Sequence, residues 1–393
     1  MRQAIILAAG EGSRLRPFTV SRPKVMLASG GKPILQSVIE VLAACNIRDI
    51  IIVAGYHREQ IYDALGSGDE FGVSIRYVTQ ERQLGTAHAL KQAEALADEE
   101  FLVLPGDHLI EVETIRDFVS QSPWALLLKR VPDNQTVRYG VVAAEDGIVQ
   151  AIIEKPKEPC DAPVSTGIFA LRREIFDAIG TESDMPSVIN RMTCSGVRFK
   201  AVETSGLWLD AVYPWDLLML NDHSLLSIQP SLEGTIEKGV TLKGPVAVGV
   251  GSVIRSGSYI TGPILIGRGC AIGPAVVAGA GVSIGDNVTI GPFSVIQNSI
   301  IGNDVAIGAR VSLQDSVIGC GCHISTGFCG LSSTADVRVA DEFHRINVGV
   351  MMGQNCDIGS GVVAQPGTIL GNGSRVNPLK VISGYINDGS QVV

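Results

Sequence analysis

Residues 5–19 read I-I-L-A-A-G-E-G-S-R-L-R-P-F-T, so an apolar strand runs directly into a glycine turn, and Pro23-Lys24 follows shortly after. Because Gly10 and Gly12 carry no side chain, their backbone N–H groups can close around phosphate oxygens. Arg14 offers a planar fork of donors and Lys24 a compact positive charge. The segment therefore predicts a phosphate site at the end of a buried strand, suited to the charge that builds on a phosphorus during transfer.

Two other glycine loops do not fit this segment. The dinucleotide fingerprint G-x-G-x-x-G requires a third glycine where the chain has Leu15. The ATP-binding loop G-x-x-x-x-G-K-[ST] is also absent, because Gly31-Lys32 is followed by Pro33. A G-x-G taken alone is equally typical of an ordinary tight turn, so the prediction depends on the whole string.

Length and charge limit the class of protein. A chain of 393 residues exceeds one ordinary core, so two domains are expected. The net charge of -9 argues against a nucleic-acid partner or an anionic membrane surface, but small anionic substrates need only local Arg and Lys. The first apolar run is too short for a secretory signal or a bilayer span, which favours a cytoplasmic protein.

The eight cysteines are scattered along the chain, and without a secretory signal a disulfide framework is not expected. Cys320, Cys322 and Cys329 do cluster, so a metal site is one interpretation. No C-x-x-C pair or set of well-spaced histidines completes such a site. Small buried thiols in a repeat domain are the favoured interpretation.

The chain up to about residue 225 alternates apolar strands with helical patterns. Residues 49–55 and 101–107 are buried-strand runs, and 33–45 and 86–96 have helical periodicity. This alternation predicts an α/β fold of βαβ units with a mainly parallel sheet. Ligands bind such sheets beyond the carboxyl ends of the strands, where both the glycine turn and Asp107 fall.

From about residue 235 glycine becomes frequent and an aliphatic residue recurs every six positions, with one-residue slips at Ile301 and Ile318. The two runs in register are Ile266, Ile272, Ala278, Ile284, Ile290 and Ile296, and Ile358, Ala364, Leu370, Val376 and Ile382. A period of six suits a flat strand with a tight corner, three of which make one triangular coil. The pattern resembles the left-handed hexapeptide β-helix, with a loop expected at 328–348.

The string G-E-G-S-R-L-R-P-F-T at 10–19 with Pro23-Lys24 matches the signature G-x-G-[ST]-R-[LM]-x-P-x-T…P-K. With the β-helix that follows, the chain resembles the sugar-1-phosphate nucleotidyltransferases of the bifunctional N-acetylglucosamine-1-phosphate uridylyltransferase type and their archaeal relatives. The resemblance implies a Rossmann-like nucleotidyltransferase domain over 1–228 and a left-handed β-helix over 229–393. It also implies that Arg14 and Lys24 are catalytic.

The same resemblance assigns residues to the nucleoside triphosphate: Leu7, Ala9, Gly10, Gly12, Gln80, Gly85 and Thr86. An amide such as that of Gln80 can pair with the imide edge of a base, and Gly85 would let the base approach the backbone. The alternative for 83–89 is a loop and a helix capped by Thr86. The string L-G-T-A-H-A at 84–89 is closer to the uridylyl type than to the thymidylyl type, where L-A-Q-A is usual.

The resemblance further implies Mg²⁺ ligands and a sugar-phosphate site. Asp107 and Asp210 match carboxylates that bind the metal, although an aspartate after a strand is also typical of a turn or cap. The sugar-phosphate residues would be Tyr139, Gly140, Glu154, Lys155 and Thr166. Taken alone, E-K-P at 154–156 is a common surface turn. Ser165 replaces the asparagine of the uridylyl type, so the sugar is left open.

The favoured substrates are UTP and N-acetylglucosamine-1-phosphate, with dTTP or UTP and glucose-1-phosphate as the alternative. Bifunctional relatives also acetylate an amino sugar in the β-helix through a histidine base, where this chain has Ala309, with His323 and His344 nearby. Three hypotheses therefore stand: a nucleotidyltransferase with an assembly or regulatory β-helix, a bifunctional enzyme, or a non-enzymatic regulatory paralogue. The relatives imply a homo-oligomer, with a trimer favoured.

Overall fold

The computed structural model describes residues 1–340 and 342–393. They form two compact units. The first comprises Met1–Glu11, Arg22–Met26 and Pro33–Asp210, and the second comprises Gly12–Ser21, Leu27–Lys32 and Ala211–Val393. The predicted boundary at residue 228 differs from this division, because the helix that follows Ala211 packs on the repeat coils.

The elements up to Asp210 alternate as the sequence predicts, with strands leading into helices. In chain order they are β1 (Gln3–Ala8), β2 (Ala28–Ser29), β3 (Lys32–Pro33), α1 (Ile34–Ala44), β4 (Asp49–Ala54), α2 (Arg58–Leu65), β5 (Ser74–Thr79), α3 (Thr86–Lys91), β6 (Glu100–Pro105), β7 (His108–Ile110), α4 (Val112–Val119), β8 (Ala125–Lys129), β9 (Gly140–Glu145), β10 (Ile148–Glu154), β11 (Val164–Arg172), α5 (Ile175–Ile179), α6 (Met185–Cys194), β12 (Lys200–Thr204) and β13 (Trp208–Asp210).

The first unit is built on a sheet with the strand order β5-β4-β1-β6-β11-β8-β12-β10-β9. Its β5-β4-β1-β6 half is parallel, as predicted, whereas beyond β6 only β8 and β12 pair in parallel. Alternate residues of β1 enter two cores on opposite faces: Ile6 packs with α1, and Ile5 with α3 and α6. The fold is therefore a three-layer, Rossmann-like sandwich, and the first residues after β1, β5 and β6 meet at one sheet edge.

The second unit contains one helix and a long series of short strands. In chain order they are α7 (Asp216–Leu226), β14 (Ser231–Leu232), β15 (Thr235–Ile236), β16 (Thr241–Lys243), β17 (Val246–Val248), β18 (Val253–Ile254), β19 (Tyr259–Thr261), β20 (Ile264–Ile266), β21 (Ala271–Ile272), β22 (Val277–Ala278), β23 (Val282–Ile284), β24 (Thr289–Ile290), β25 (Val295–Gln297), β26 (Ile300–Ile301), β27 (Ala306–Ile307), β28 (Ser312–Gln314), β29 (Val317–Ile318), β30 (His323–Ile324), β31 (Cys329–Gly330), β32 (Ser333–Val339), β33 (Glu342–Val348), β34 (Met351–Met352), β35 (Asp357–Ile358), β36 (Val363–Ala364), β37 (Ile369–Leu370), β38 (Arg375–Val376), β39 (Val381–Ile382), β40 (Tyr385–Ile386) and β41 (Gln391–Val392).

These strands, apart from β32 and β33, stack in parallel as three sheets, so each coil contributes one strand to each face. One coil usually takes 18 residues, as from Ile264 to Val282, and the predicted slips appear as coils of 17, as from Ile300 to Val317. The predicted aliphatic residues fill one continuous core, including Ile266, Ile284 and Leu370. The β-helix prediction is confirmed, and its stacked sheets are those of the left-handed hexapeptide type.

The segment predicted as a loop at 328–348 is instead largely an antiparallel hairpin. Strands β32 and β33 pair from Ser333↔Val348 to Val339↔Glu342. Phe343 on the hairpin is 73% exposed, whereas His344 contacts the stacked rings of Tyr213 and Trp215. The irregular spacing of 328–348 thus reflects an inserted element and not an unstructured connection.

The clustered cysteines belong to the coils. Cys322 is buried in the β-helix core, and Cys320 and Cys329 are half-buried. In the part of the chain that the structure describes, no group of three or more His, Cys, Asp or Glu side chains is placed to hold a metal ion. This arrangement favours the interpretation of packed thiols in a repeat domain.

Candidate active site

The glycine turn begins in the first unit at the end of β1. The carbonyl groups of Leu7 and Ala9 accept hydrogen bonds from Gly106 N and Tyr56 N, at 3.0 and 3.2 Å, so the strand end is fixed by its neighbours. Gly10 is exposed, and no heavy atom of the described residues lies within 4 Å of the position that its Cβ would take. Its φ is also outside the left-handed region. Neither packing nor backbone conformation requires a glycine here, so the space is available to a ligand.

The second part of the turn has a different reason for its glycine. Gly12 has φ +70°, the left-handed conformation, and its carbonyl accepts a 2.8 Å hydrogen bond from Thr19 Oγ1. Arg14 lies in the short 3₁₀ turn Ser13–Leu15 that follows. The signature residues thus form a compact loop closed on itself within the second unit.

Lys24 and Asp107 form an ion pair inside the first unit. Lys24 opens the 3₁₀ turn Lys24–Met26, and Asp107 follows β6 with only 15% of its side chain exposed. Burial by itself raises the pKa of the Asp107 carboxyl, but the nearby Lys24 ammonium and, less strongly, His108 hold it below its ordinary value. The pair therefore carries an ionised carboxylate and a cation together at the edge where ligands bind this fold.

Asp210 is brought to the same edge by a small two-stranded ladder. β13 pairs antiparallel with β7, and Asp210 faces His108, the residue after Asp107. The Tyr139 hydroxyl donates a 2.7 Å hydrogen bond to Asp210 Oδ1. Asp107 and Asp210 thus occupy neighbouring backbone positions, and the Asp210 carboxylate is oriented by a phenol. Such carboxylates are the hard oxygen ligands of Mg²⁺, which usually takes one or two of them together with substrate phosphates.

His108 is a part of the site that the sequence reasoning missed. It is buried, and Trp208 Nε1 donates to its Nδ1 at 3.1 Å. Burial lowers the pKa of His108, the chief opposing effect being the Asp107 charge, so the ring is held neutral with its proton on Nε2, 3.8 Å from Asp107 Oδ1. No motif in the sequence links His108 to Trp208, which lies 100 residues later, so the hydrogen bond between them follows only from the fold.

The predicted base site lies after β5. Gln80 is buried, its backbone N–H bonds Ala54 O, and its amide nitrogen donates to Gly85 O at 3.1 Å and to His88 Nδ1 at 2.8 Å. Both donors of the amide are thus engaged, which leaves Gln80 Oε1 as an oriented acceptor. His88 fixes this orientation of the Gln80 amide. In the sequence, His88 is part of the 83–89 string but has no predicted role of its own.

Two expectations at this site change in detail. A Cβ at Gly85, whose φ is +125°, would collide with Ser183 O, so packing of the chain already requires this glycine. Thr86 does not cap the helix: α3 begins at Thr86 without a side-chain cap, and the Thr86 hydroxyl accepts from Met185 N at 3.0 Å. Both contacts tie the loop to the start of α6.

At the predicted sugar-phosphate site, Gly140 lies opposite Glu154 in the β9–β10 pair. A Cβ on Gly140 would stand 2.8 Å from Glu154 Oε2, so this glycine makes room for the carboxylate. Lys155 follows with φ +44° and is exposed, and its N–H bonds Tyr139 O at 3.0 Å. The local backbone therefore holds Tyr139, Glu154 and Lys155 in one strand-end cluster.

Thr166 does not join that cluster through its side chain. Its hydroxyl is buried and donates to Leu127 O at 2.7 Å inside the sheet. Ser165, next to it, is half-buried and accepts from Gly167 N at 3.2 Å. The hydroxyl of Thr166 is therefore engaged inside the sheet, and the sugar-phosphate role predicted for Thr166 stays a prediction.

The nucleotidyl transferase family profile matches residues 3–222, and the GMPPB C-terminal domain profile matches residues 260–344. The chain belongs to the sugar-1-phosphate nucleotidyltransferase family. It is 35% identical to a bifunctional protein GlmU of Methanococcus maripaludis, over 99% of this chain and 96% of that protein. A glucose-1-phosphate thymidylyltransferase of Streptomyces antibioticus is 32% identical over 64% of this chain and 74% of its own length.

Two further relatives cover a smaller share of the chain. The UTP–glucose-1-phosphate uridylyltransferase AglF of Haloferax volcanii is 35% identical over 54% of this chain and 93% of its own length. A crystal structure of a putative glucose-1-phosphate thymidylyltransferase from Bacillus anthracis in complex with a sucrose superposes with a TM-score of 0.52. It is 31% identical and covers 58% of this chain and 97% of that structure.

Members of this family bind a nucleoside triphosphate and a sugar-1-phosphate and generally depend on a divalent metal. The expectation of an enzyme of this class is therefore confirmed. No helix in the described residues is both long and apolar enough to cross a membrane.

Proposed function

We propose that this nucleotidyltransferase joins UTP and N-acetylglucosamine-1-phosphate to form a UDP-sugar and pyrophosphate. The observation that carries the choice of base is Gln80, whose amide nitrogen is held by Gly85 and His88. The remaining acceptor, Oε1, is complementary to the N3–H of uracil or thymine, whereas cytosine and adenine present an acceptor at the equivalent edge. The L-G-T-A-H-A string at 84–89 favours the uridylyl type over the thymidylyl type.

In the proposed reaction an oxygen of the sugar-1-phosphate attacks the α-phosphorus in line. The new phosphorus–oxygen bond forms as the bond to the bridging oxygen of pyrophosphate breaks, without a covalent enzyme intermediate. Arg14 and Lys24 would neutralise the charge on the transferring phosphates, and Tyr139 would hold Asp210 in place. Asp107 and Asp210 would hold Mg²⁺, which supplies charge neutralisation and orients the triphosphate.

The Lys24–Asp107 ion pair fits a site that is assembled before substrate arrives. With Mg²⁺ held by Asp107, the Lys24 ammonium would be available to bind a phosphate. Such an exchange of partners keeps a buried carboxylate compensated in both states. It also predicts weak affinity for free metal, because the lysine competes until the triphosphate is present.

The direct test is pyrophosphate release from a panel of UTP, dTTP, CTP, ATP and GTP, each with N-acetylglucosamine-1-phosphate and glucose-1-phosphate. We expect the highest kcat/KM for UTP with N-acetylglucosamine-1-phosphate. A higher value for dTTP with glucose-1-phosphate would reverse the substrate ranking. No release with any pair, in the presence of Mg²⁺, would support the regulatory paralogue.

Two variants test the charge assignments in the same assay. Arg14→Ala should lower kcat by ~10²–10³, the usual loss when one preorganised contact is removed. Asp107→Asn should raise the Mg²⁺ concentration needed for half-maximal activity. Near-normal turnover of Arg14→Ala, or full activity after exhaustive chelation, would contradict the proposed mechanism.

A second function of the β-helix is suggested by the full-length similarity to a protein named as bifunctional. Acetylation of an amino sugar needs a base to deprotonate the amine. Ala309, at the predicted base position, cannot act as one. His323 is exposed beside Ser325, and His344 is packed among aromatic rings.

We therefore propose that the protein lacks efficient glucosamine-1-phosphate acetyltransferase activity. The measurement is thiol release from acetyl-CoA with glucosamine-1-phosphate, compared with nucleotidyl transfer by the same preparation. Comparable rates would refute this proposal, and His323→Ala and His344→Ala would then identify the base.

A further inference from the structure

The β-helix unit includes the loop Gly12–Ser21, which carries Arg14. One β-helix residue donates directly to the backbone of this loop: Asn372 Nδ2 bonds Pro17 O at 3.0 Å. Ser21, at the end of the loop, donates from its hydroxyl to Gln354 Oε1 at 3.0 Å. Asn372 and Gln354 occupy the same corner of consecutive coils, so two coils contact the loop in succession.

Asn372 belongs to a ladder that runs along this corner. In each step a side-chain oxygen of one coil accepts from the backbone N–H of the coil before it. The steps are Asp286 Oδ1 from Arg268 N, Asn303 Oδ1 from Asp286 N, Asn372 Oδ1 from Gln354 N and Asp388 Oδ1 from Asn372 N, at 2.7, 3.0, 2.7 and 2.6 Å. Asn372 combines this structural role with a second one, since its Nδ2 reaches Pro17 O as well as Asp388 Oδ1.

A second N-terminal segment, Leu27–Lys32, is also fixed within this unit. Asn221 of α7 is 1% exposed, and its Oδ1 accepts from Gly30 N at 3.1 Å and from Ser283 Oγ at 2.6 Å. Its Nδ2 donates to Gly281 O at 3.0 Å. The two segments that flank Arg22–Met26 in sequence are therefore both attached to the β-helix unit by buried or half-buried asparagines.

We propose that Asn372 is a positioning residue for nucleotidyl transfer. Its side chain holds the loop that carries Arg14 through the hydrogen bond to Pro17 O. The proposal rests on the function proposed above. The β-helix then contributes to catalysis without contacting substrate. A coil near the end of the stack fixes the backbone of the loop that carries Arg14. A loop with fixed ends presents its side chain without first losing conformational freedom.

The test is Asn372→Asp, with Asn303→Asp as its matched control. Aspartate keeps the oxygen that accepts from the preceding coil but loses the N–H donor to Pro17 O. Asn303 occupies an equivalent step of the ladder, since its Oδ1 accepts from Asp286 N of the preceding coil. Asn372→Asp also loses the 3.3 Å donor contact to Asp388 Oδ1, so the alanine pair described below serves as the charge-free comparison. Of these two asparagines, Asn372 is the one with a hydrogen bond to the Gly12–Ser21 loop in the described residues.

We expect kcat for pyrophosphate release to fall about tenfold in Asn372→Asp, since one net hydrogen bond is worth up to about a factor of ten. The KM for the sugar-1-phosphate should stay unchanged, because its proposed residues lie in the other unit. Asn303→Asp should keep the wild-type kcat. Hydrogen exchange of the peptide 12–21 should quicken in Asn372→Asp alone.

If Asn372→Asp does not fold, Asn372→Ala and Asn303→Ala provide the same comparison without the added charge. Equal kcat and equal exchange of 12–21 in the two positions, in a preparation whose wild type is active, would overturn the positioning role. A wild type that releases no pyrophosphate would instead overturn the proposed function. The exchange measurement still reports on the anchor in that case.

Discussion

Gly10 and Gly55 are both glycines beside the end of β1, yet they have opposite requirements. A Cβ at Gly10 meets nothing within 4 Å of the described residues, whereas one at Gly55 would stand 2.9 Å from Ala9 O and 2.8 Å from Gln83 Nε2. The difference separates a glycine needed by a ligand from a glycine needed by the fold.

We therefore expect Gly10→Ala to leave the free energy of unfolding unchanged or raise it by up to about 1 kcal/mol. Its kcat/KM for the nucleoside triphosphate should fall at least tenfold, because the methyl group occupies the proposed phosphate space. Gly55→Ala should cost about 1–3 kcal/mol of stability through overpacking. Urea unfolding and steady-state kinetics measure both, and an active Gly10→Ala would contradict the phosphate site.

The Lys24–Asp107 pair predicts a pH-dependent stability difference. The pKa of Asp107 is depressed in the folded protein, so the pair stabilises the fold above the ordinary carboxyl pKa of about 3.9 and loses this effect as pH falls through the lower folded value. Without Lys24, burial would raise the pKa of Asp107 instead.

Lys24→Met should accordingly be less stable than wild type by on the order of 1–3 kcal/mol at pH 7, because a buried charge is left uncompensated. The difference should shrink as pH falls through the depressed folded pKa of the wild-type carboxyl, because both proteins then carry a protonated Asp107. Denaturant unfolding at pH 7 and at pH 3.5 provides the measurement. A difference that stays the same at both pH values would show that Lys24 contributes through packing alone.

Sequence reasoning at this scale found the residues whose type is unusual for a turn, such as Arg14 after two glycines. It missed His108, and it did not indicate that the Thr166 hydroxyl is engaged inside the sheet. Both contacts escaped for the same reason: Trp208 lies 100 residues from His108 along the chain, and Leu127 lies 39 residues from Thr166. A motif reports residue types in order but not which long-range carbonyl or ring a side chain reaches.

At the scale of elements, two threonines give a test of buried hydroxyls. Thr166 in β11 donates to Leu127 O of β8, whereas Thr193 in α6 has a buried Oγ1 with no hydrogen-bond partner among the described residues. The Thr166 hydroxyl links two strands. The Thr193 hydroxyl is removed from water on folding and gains no hydrogen bond among the described residues in exchange.

Thr166→Val should thus destabilise the protein by about 1–3 kcal/mol, since it leaves the carbonyl of Leu127 without this donor. Thr193→Val should be neutral or stabilising, because it removes a polar group that burial penalises. Thermal or urea unfolding of the two variants decides between them. Equal losses would mean that shape, and not hydrogen bonding, governs both positions.

The strands and helices near the site were predictable because their periodicities are local. Helix α1 ends within a residue of the predicted 33–45 pattern, and β4 matches the run at 49–55. The second half of the large sheet was not predictable in this way. The antiparallel pairing of β10 with β9 and β12 depends on turns and on sheet edges, which leave no periodic pattern in the sequence. The hairpin at 333–348 escaped prediction for the same reason.

For the whole molecule, we propose a homotrimer assembled on the β-helix. One sheet carries an outward apolar ladder in register, Tyr259, Val277 and Val295, which are 39%, 37% and 36% exposed. A flat, regular face of this kind suits closed cyclic packing. Light scattering at micromolar concentration should give three times the chain mass of 41.5 kDa.

Val277→Lys places a charge at the centre of that ladder and should shift the mass towards the monomer. Arg268→Lys, a charge-conserving change at a corner of the same stack, should leave it unchanged. A wild-type mass of 41.5 kDa would contradict the trimer. A trimer unaffected by Val277→Lys would place the interface on another face.

The inserted hairpin has a consequence for how this architecture changes in evolution. Val317 pairs with Met351, a step of 34 residues where a single coil needs 17 or 18, and Ile324 still pairs with Ile358 on the next face. The coils therefore continue in register after an insertion about as long as one coil, and the aliphatic core is continuous across it. A corner between two strands can therefore accept an inserted segment. Such a segment can be added, lengthened or replaced while the strands of the coils on either side keep their register.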